Sequence, residues 1–270
     1  DLNLRFKGRW NIEIDENQCM QLIAPNWDNY QLIYNTVLRN LYNDYNTPII
    51  GEMEGSVWRN IPDFFDIFPN GKAIILIRDI RDVVVSFKNL TIAPGDDYLV
   101  SLFNVIDAMD HFIKYQNNFP DRFYGIRFEE LKKYPQNVMK KVCKFLEIDY
   151  EPAIINENNW VDHHGKQWGN RKISSFYDSG DHKNPVGRWK RLITPEELYL
   201  CEWIGRTQML AFNMNFEEQP ISQEIIDNAI EMITSSKILN EAFKNWSDTG
   251  KGIQRYPLDP TDPSTWSENQ

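Results

Sequence analysis

The sequence predicts an α/β fold: a single domain built on a parallel β-sheet flanked by helices, with a C-terminal helical extension. Three observations carry this. Residues 72–78 (KAIILIR) form a continuous apolar run of strand length, helical apolar spacing brackets it on both sides, and strand-type and helix-type segments alternate through residues 47–148. That alternation is the signature of βαβ units. Continuous rather than alternating apolarity in the strand predicts burial on both faces, as between two layers of helices. The expected division is residues 1–220 for the α/β domain and 221–270 for an amphipathic helix and a Pro-rich tail.

Taken in order, residues 2–14 alternate apolar and polar around Lys7-Gly8 and read as a short hairpin. From Asn26, a candidate cap, to Tyr45 the apolar residues Tyr30, Ile33, Tyr34, Val37, Leu38 and Leu41 recur at helical spacing. Thr47 to Gly51 reads as a short strand ending in Gly-Glu, followed by a helix with an internal Pro62 and the turn Pro69-Asn70-Gly71. After the 72–78 strand, Asp96 or Asp97 is placed to cap a long helix through Leu99, Leu102, Phe103, Ile106, Met109 and Ile113 that ends near Pro120. Phe123–Phe128 is the next strand, and Pro135 opens a helix whose apolar face is Val138, Val142, Phe145 and Leu146. Residues 151–190 carry few periodic signals and read as a long ordered loop, a length usually kept for function. Thr194-Pro195-Glu196-Glu197 is a capping box that starts a helix running to about residue 211. A last helix is expected from about Ser222 to Trp246, ahead of the tail YPLDPTDPSTW.

Composition narrows the function. Among 270 residues, 29 Lys and Arg face 39 Asp and Glu, a net charge of −10. General nucleic-acid binding is excluded as a reading, because it requires a basic surplus facing phosphate. An anionic ligand must be held by a local basic cluster. Cys19, Cys143 and Cys201 are widely spaced with no CxxC, and His111, His163, His164 and His182 make no HExxH, so neither a disulfide framework nor a metal site is expected. With no run of 18 apolar residues and no signal peptide in these residues, a reducing, cytoplasmic setting without a membrane span is the expectation.

The chemistry concentrates at the C-terminal end of the 72–78 strand, in Arg78-Asp79-Ile80-Arg81-Asp82-Val83-Val84-Val85-Ser86. Ligands of α/β sheets bind at that edge, where a guanidinium fork can pair with two phosphate oxygens and a hydroxyl can add a donor. Read alone, RDxRD is equally an ion-paired strand end with Ser86 on a helix.

The run ILIRDIRDVVVSF resembles the 3′-phosphate signature of sulfotransferases that use 3′-phosphoadenosine 5′-phosphosulfate (PAPS), with the family's Arg-to-Ser spacing of eight. FYGIRFEELKKYPQNVMKKVCKFLEI resembles the family's strand, Y-E-D-L turn and following helix, and VGRWKRLIT resembles its G-x-W-K segment, so that ordered matches cover about residues 47–212. The resemblance implies the sulfotransferase variant of the P-loop nucleotide-hydrolase fold, PAPS as co-substrate and its desulfated product PAP, and no metal. It also implies site residues. Arg78 and Ser86 match the 3′-phosphate ligands; Gly187, Trp189 and Lys190 match the loop that closes over that phosphate, with Lys183 at the preceding basic position. Arg188 stands where many members carry Asp and would join the phosphate contact, and Phe128 replaces the Tyr of the Y-E-D-L turn. Glu52 matches the glutamate that serves as general base in carbohydrate-type members, with Glu54, His163 and His164 as alternatives. Trp168 or Phe176 would stack on adenine, and Lys166 and Arg171 would meet anions.

The implied activity is sulfuryl transfer from PAPS to a hydroxyl or amine of a small-molecule, carbohydrate or protein acceptor, in the carbohydrate or tyrosyl-protein-like branch. One departure stands out. The family's Gly-rich phosphosulfate loop, R-S-G-T-T or K-x-G-T-T, has no counterpart here; Gly8 is the only glycine before Gly51 and no Thr-Thr follows it. Either that loop lies in a segment ahead of residue 1, or the chain is a non-catalytic nucleotide- or partner-binding relative. A nucleotide kinase would need GK[ST], which is absent.

Overall fold

The computed structural model describes residues 13–41, 48–53, 55, 57–88, 97–161, 184–217 and 220–253. Contacts divide the chain into two compact units, residues 1–71 with 254–270, and residues 72–253. The expected boundary at residue 220 falls inside the second unit. The predicted hairpin lies outside the described residues except for its last two positions, which are not in a strand.

In the first unit, Glu16–Ile23 forms α1 with Asp15 as its cap, the carboxylate accepting the Gln18 N–H at 3.0 Å. The sequence reading placed no helix there. Tyr30–Leu41 forms α2, which starts later than expected, while the expected end at Tyr45 lies outside the described residues. Asn29 rather than Asn26 caps it, through the Leu32 N–H at 2.9 Å, because a cap must sit within three residues of the amide it satisfies. Ile14, Cys19, Ile23 and Leu41 form a small core with Ile33 and Val37 against it. Residues 48–53 are not in a strand, correcting the strand read at 47–51. Ile61–Ile67 forms α3, and Pro62 falls in its first turn, where the missing N–H is no loss.

The second unit holds the βαβ core. Ala73–Ile77 is β1, Ile80–Lys88 is α4, Val100–Asn118 is α5 and Phe123–Arg127 is β2. The strands pair in parallel, Ala73 with Phe123 through Ile77 with Arg127. β1 is not buried on both faces. Ile74 and Leu76 are 39% and 50% exposed while Ile77 is buried, because α5 packs on the sheet and those two side chains alternate to its other face. Gly125 lies where α5 comes closest: a Cβ there would fall among the Phe112 ring carbons. Phe112 sits edge-on to Phe123 and Phe212 and locks the contact.

Phe128–Lys133 is α6 and Pro135–Leu146 is α7, which lays Val138 and Val142 against Ile126 as expected. Among the described residues no side chain caps α5; Asp97 instead accepts the Ser236 hydroxyl at 2.8 Å, and Asp96 lies outside the described residues. Trp189–Leu192 is a short α8. The capping box is present, Thr194 accepting the Glu197 N–H and Glu197 the Thr194 N–H, and starts α9, Pro195–Ile204. The chain turns at Gly205 into α10, Arg206–Ala211, so the single helix expected to residue 211 is two. The expected last helix is also two, α11 (Gln223–Ser235) and α12 (Lys237–Thr249). Ser236 breaks it in extended conformation and caps α12 through the Leu239 N–H at 3.0 Å. No helix of the described residues is long and apolar enough to cross a membrane.

Candidate functional site

β1 delivers Arg78 to the C-terminal edge of the sheet and α4 begins two residues later. Asp79 starts that helix: its carboxylate accepts the Arg81 N–H at 2.9 Å, and its own N–H donates to Glu129 at 2.8 Å. The five residues of RDxRD then divide in purpose.

Arg81 turns inward and is buried. It donates to both Asp79 oxygens at 3.0 and 2.8 Å, to Glu202 at 2.9 Å and to the Asn215 carbonyl at 2.8 Å. Its guanidinium carbon also lies 3.8 Å from the Trp189 ring centroid. Burial pulls the Arg81 pKa down, but the Asp79 and Glu202 carboxylates outweigh it and the net shift is upward. Arg81 is therefore a fixed structural cation that ties α4 to α9, to the Trp189 ring at the start of α8 and to the segment after α10.

Arg78 is the contrast. Its guanidinium lies over the Phe128 ring with 4.9 Å to the centroid, donates through Nη2 to the Pro185 carbonyl, and sits 3.5 Å from Asp82. Its Nε is buried with no hydrogen-bond partner among the described residues. An orphaned, buried guanidinium N–H at the ligand edge of the sheet fits an anion with several oxygens. Phe128, where the family pattern has Tyr, provides the flat apolar support beneath the cation. Ser86 is half-buried on the last turn of α4.

The segment 184–190 folds onto this edge. Gly187 has φ of 74°, the left-handed region open to glycine, and its N–H donates to Asp82 at 2.7 Å. The Trp189 N–H donates to the other Asp82 oxygen at 3.0 Å. Trp189 is buried with Val85 and Leu198. Arg188 is also buried, its Nε donating to the Asn184 carbonyl at 3.3 Å. Lys190 is exposed, with Nζ 5.6 Å from the Trp189 ring centroid.

The structure thus brings Arg78, Gly187 and Trp189 together through Asp82, which the sequence reading did not single out. Its place one helical turn after Arg78 was the available signal. Lys183, Glu54, His163, His164, Lys166, Trp168, Arg171 and Phe176 lie outside the described residues. Glu52 belongs to the first unit, is exposed, and accepts the Tyr34 hydroxyl. Among the described residues, no group of three or more His, Cys, Asp or Glu side chains could hold a metal ion. All three cysteines are buried and free, and complete burial pushes the Cys201 thiol well above its ordinary pKa.

A parallel βαβ unit with a supported arginine at its strand end, and a glycine loop drawn over it, defines an α/β protein with a basic group at the ligand edge of its sheet. The family follows from comparison. Residues 3–152 match the model of the Sulfotransferase family, and the chain belongs to that family. Over 103 residues it is 26% identical to the protein-tyrosine sulfotransferase of Drosophila melanogaster, a match covering 36% of this chain and 20% of that one. The chain therefore spans about a fifth of that relative. Two solved structures share the fold. The sulfotransferase domain from the curacin biosynthetic pathway aligns at TM-score 0.52 and 16% identity over 79% of this chain and 85% of that one. The sulfotransferase domain from the Synechococcus PCC 7002 olefin synthase aligns at 0.53 and 18% over 80% and 76%. The chain has an α/β sulfotransferase fold, and its family performs sulfuryl transfer.

Proposed function

We propose that the chain is a PAPS-dependent sulfotransferase of the carbohydrate or tyrosyl-protein-like branch, with a hydroxyl or amine as acceptor. The observation that supports this most is Arg78: a guanidinium at the ligand edge of β1, with the Phe128 ring beneath it and the G-x-W-K segment over it. In this reading Arg78 and Ser86 hold the 3′-phosphate, and the Gly187–Lys190 segment, with Lys183 ahead of it, closes over it. PAPS, when bound, supplies the sulfuryl group and departs as PAP. Glu52 serves as general base, taking the acceptor proton on its carboxylate, and the Tyr34 hydroxyl orients that carboxylate through Oε2. Among acceptors, a tyrosyl hydroxyl is favoured by the Drosophila melanogaster relative, whose name gives protein tyrosine as its substrate.

The test is calorimetric titration with PAP against adenosine 5′-phosphate (AMP), then turnover of PAPS with tyrosyl-peptide, carbohydrate and amine acceptors. Saturable binding that requires the 3′-phosphate, with product formation that falls in Glu52→Gln, is the expected outcome. Binding without turnover on any acceptor would leave a nucleotide-binding relative. Equal affinity for the two nucleotides would remove the proposal.

A further inference from the structure

We propose that Asp82 is the positioning residue of the nucleotide half-site, its carboxylate setting the closing loop onto Arg78. This rests on the 3′-phosphate assignment made above. Asp82 is 1% exposed, and a buried carboxylate persists only where its lone pairs and charge are compensated. Here the compensation comes from the loop. Oδ2 accepts the Gly187 N–H at 2.7 Å and Oδ1 the Trp189 N–H at 3.0 Å, while Arg78 Nη2 stands 3.5 Å from Oδ2. One carboxylate on the first turn of α4 therefore fixes two alternate amides of the loop and the guanidinium that the loop covers.

The geometry is selective. Gly187 reaches Asp82 with φ of 74°, and the Trp189 amide follows two residues later with its ring against Arg81. Asparagine has the shape of aspartate but presents one acceptor and one donor, so Asp82→Asn turns an N–H toward one of the two amides. Glutamate keeps the charge but moves it one methylene outward.

The experiment compares wild type, Asp82→Asn and Asp82→Glu by calorimetry with PAP and with AMP, alongside amide hydrogen exchange. In Asp82→Asn the preference for PAP over AMP is expected to fall about tenfold while AMP affinity stays within about twofold, since the 5′-nucleotide is not held by this loop. Exchange at the Gly187 and Trp189 amides should accelerate selectively, which a general loss of stability would not produce. Asp82→Glu should fall between the two. If the wild type prefers PAP and Asp82→Asn keeps that preference within twofold, the positioning role is overturned and the 3′-phosphate site stands. If the wild type itself shows no preference, both fall together. Should Asp82→Asn fail to fold, the wild-type amides decide: slow exchange at Gly187 and Trp189, slowed further by PAP, supports the role, and free-chain rates refute it.

Discussion

Two strand-to-helix junctions stand side by side in the second unit, and each ends its strand in or beside an arginine. β2 ends at Arg127, paired in register with Ile77, and runs into α6; β1 runs through Arg78 into α4. Arg127 Nη1 donates to the Phe212 carbonyl at 2.9 Å and its Nε faces Glu129 at 3.9 Å, so the residue ties the strand to the end of α10. Arg78 has a ring beneath it and a loop carbonyl beside it, and in both arginines Nε is buried without a hydrogen-bond partner among the described residues. The two junctions even touch, through Glu129 and the Asp79 N–H. Topology alone makes both edges eligible to bind a ligand. What separates them is local: Arg127 is held at the end of α10 by the Phe212 carbonyl, whereas Arg78 lies between the Phe128 ring and the 184–190 segment.

The largest expected effect breaks both junctions together. Gly125→Ala drives a methyl into Phe112 between α5 and β2 and should cost roughly 3 kcal/mol of stability, measured by denaturant unfolding. Next, Arg78→Ala should weaken PAP binding by about 10- to 100-fold, because it removes charge-assisted contacts to the ligand, and should also lower stability by about 1 kcal/mol or more through the lost contacts to the Pro185 carbonyl and the buried Asp82. Arg127→Ala should differ in binding: about 1 kcal/mol less stable through the lost Phe212 contact, with PAP affinity within about twofold. A shared loss of PAP affinity in both variants would erase the distinction between the junctions.

The smallest effect concerns α5, the support beneath both strands. The His111 pKa is raised above its ordinary 6.5, chiefly by its hydrogen bond to the Asp107 side chain. A raised folded-state value means the pairing stabilises fully below the unfolded pKa and is lost as pH rises through the folded one. The difference in thermal midpoint between wild type and His111→Asn should therefore be greatest below pH 6.5 and shrink above it. A pH-independent difference would show that the pairing does not depend on the histidine charge.

Much of the second unit was legible in sequence, and for physical reasons. The KAIILIR run, the Pro135 start and the Thr194 capping box each encode their element within a few residues, and all three appear. Breaks inside amphipathic segments were not legible. The apolar period continues through Gly205 and Ser236, while the chain bends there to meet partners distant in sequence, Asp97 in the case of Ser236. Burial of β1 was overestimated because continuous apolarity cannot say which face a helix covers, and Ile74 and Leu76 are exposed. For the site, RDxRD marked the right edge of the sheet, but the separate duties of Arg78, Arg81 and Asp82 depend on Pro185, Trp189, Glu202 and Asn215. No local pattern links residues more than one hundred positions apart.

The contact between Asp82 and Gly187 closes over a separation of 105 residues in the chain. A ribosome adding about 5–20 residues per second makes α4 roughly 5–20 s before it makes the loop. During that interval the nascent helix carries a carboxylate without its two amide partners, on an arginine that is not yet covered. The proposed anion site is thus a late product of synthesis, and a chain interrupted before residue 187 would hold the signature motif without a finished half-site.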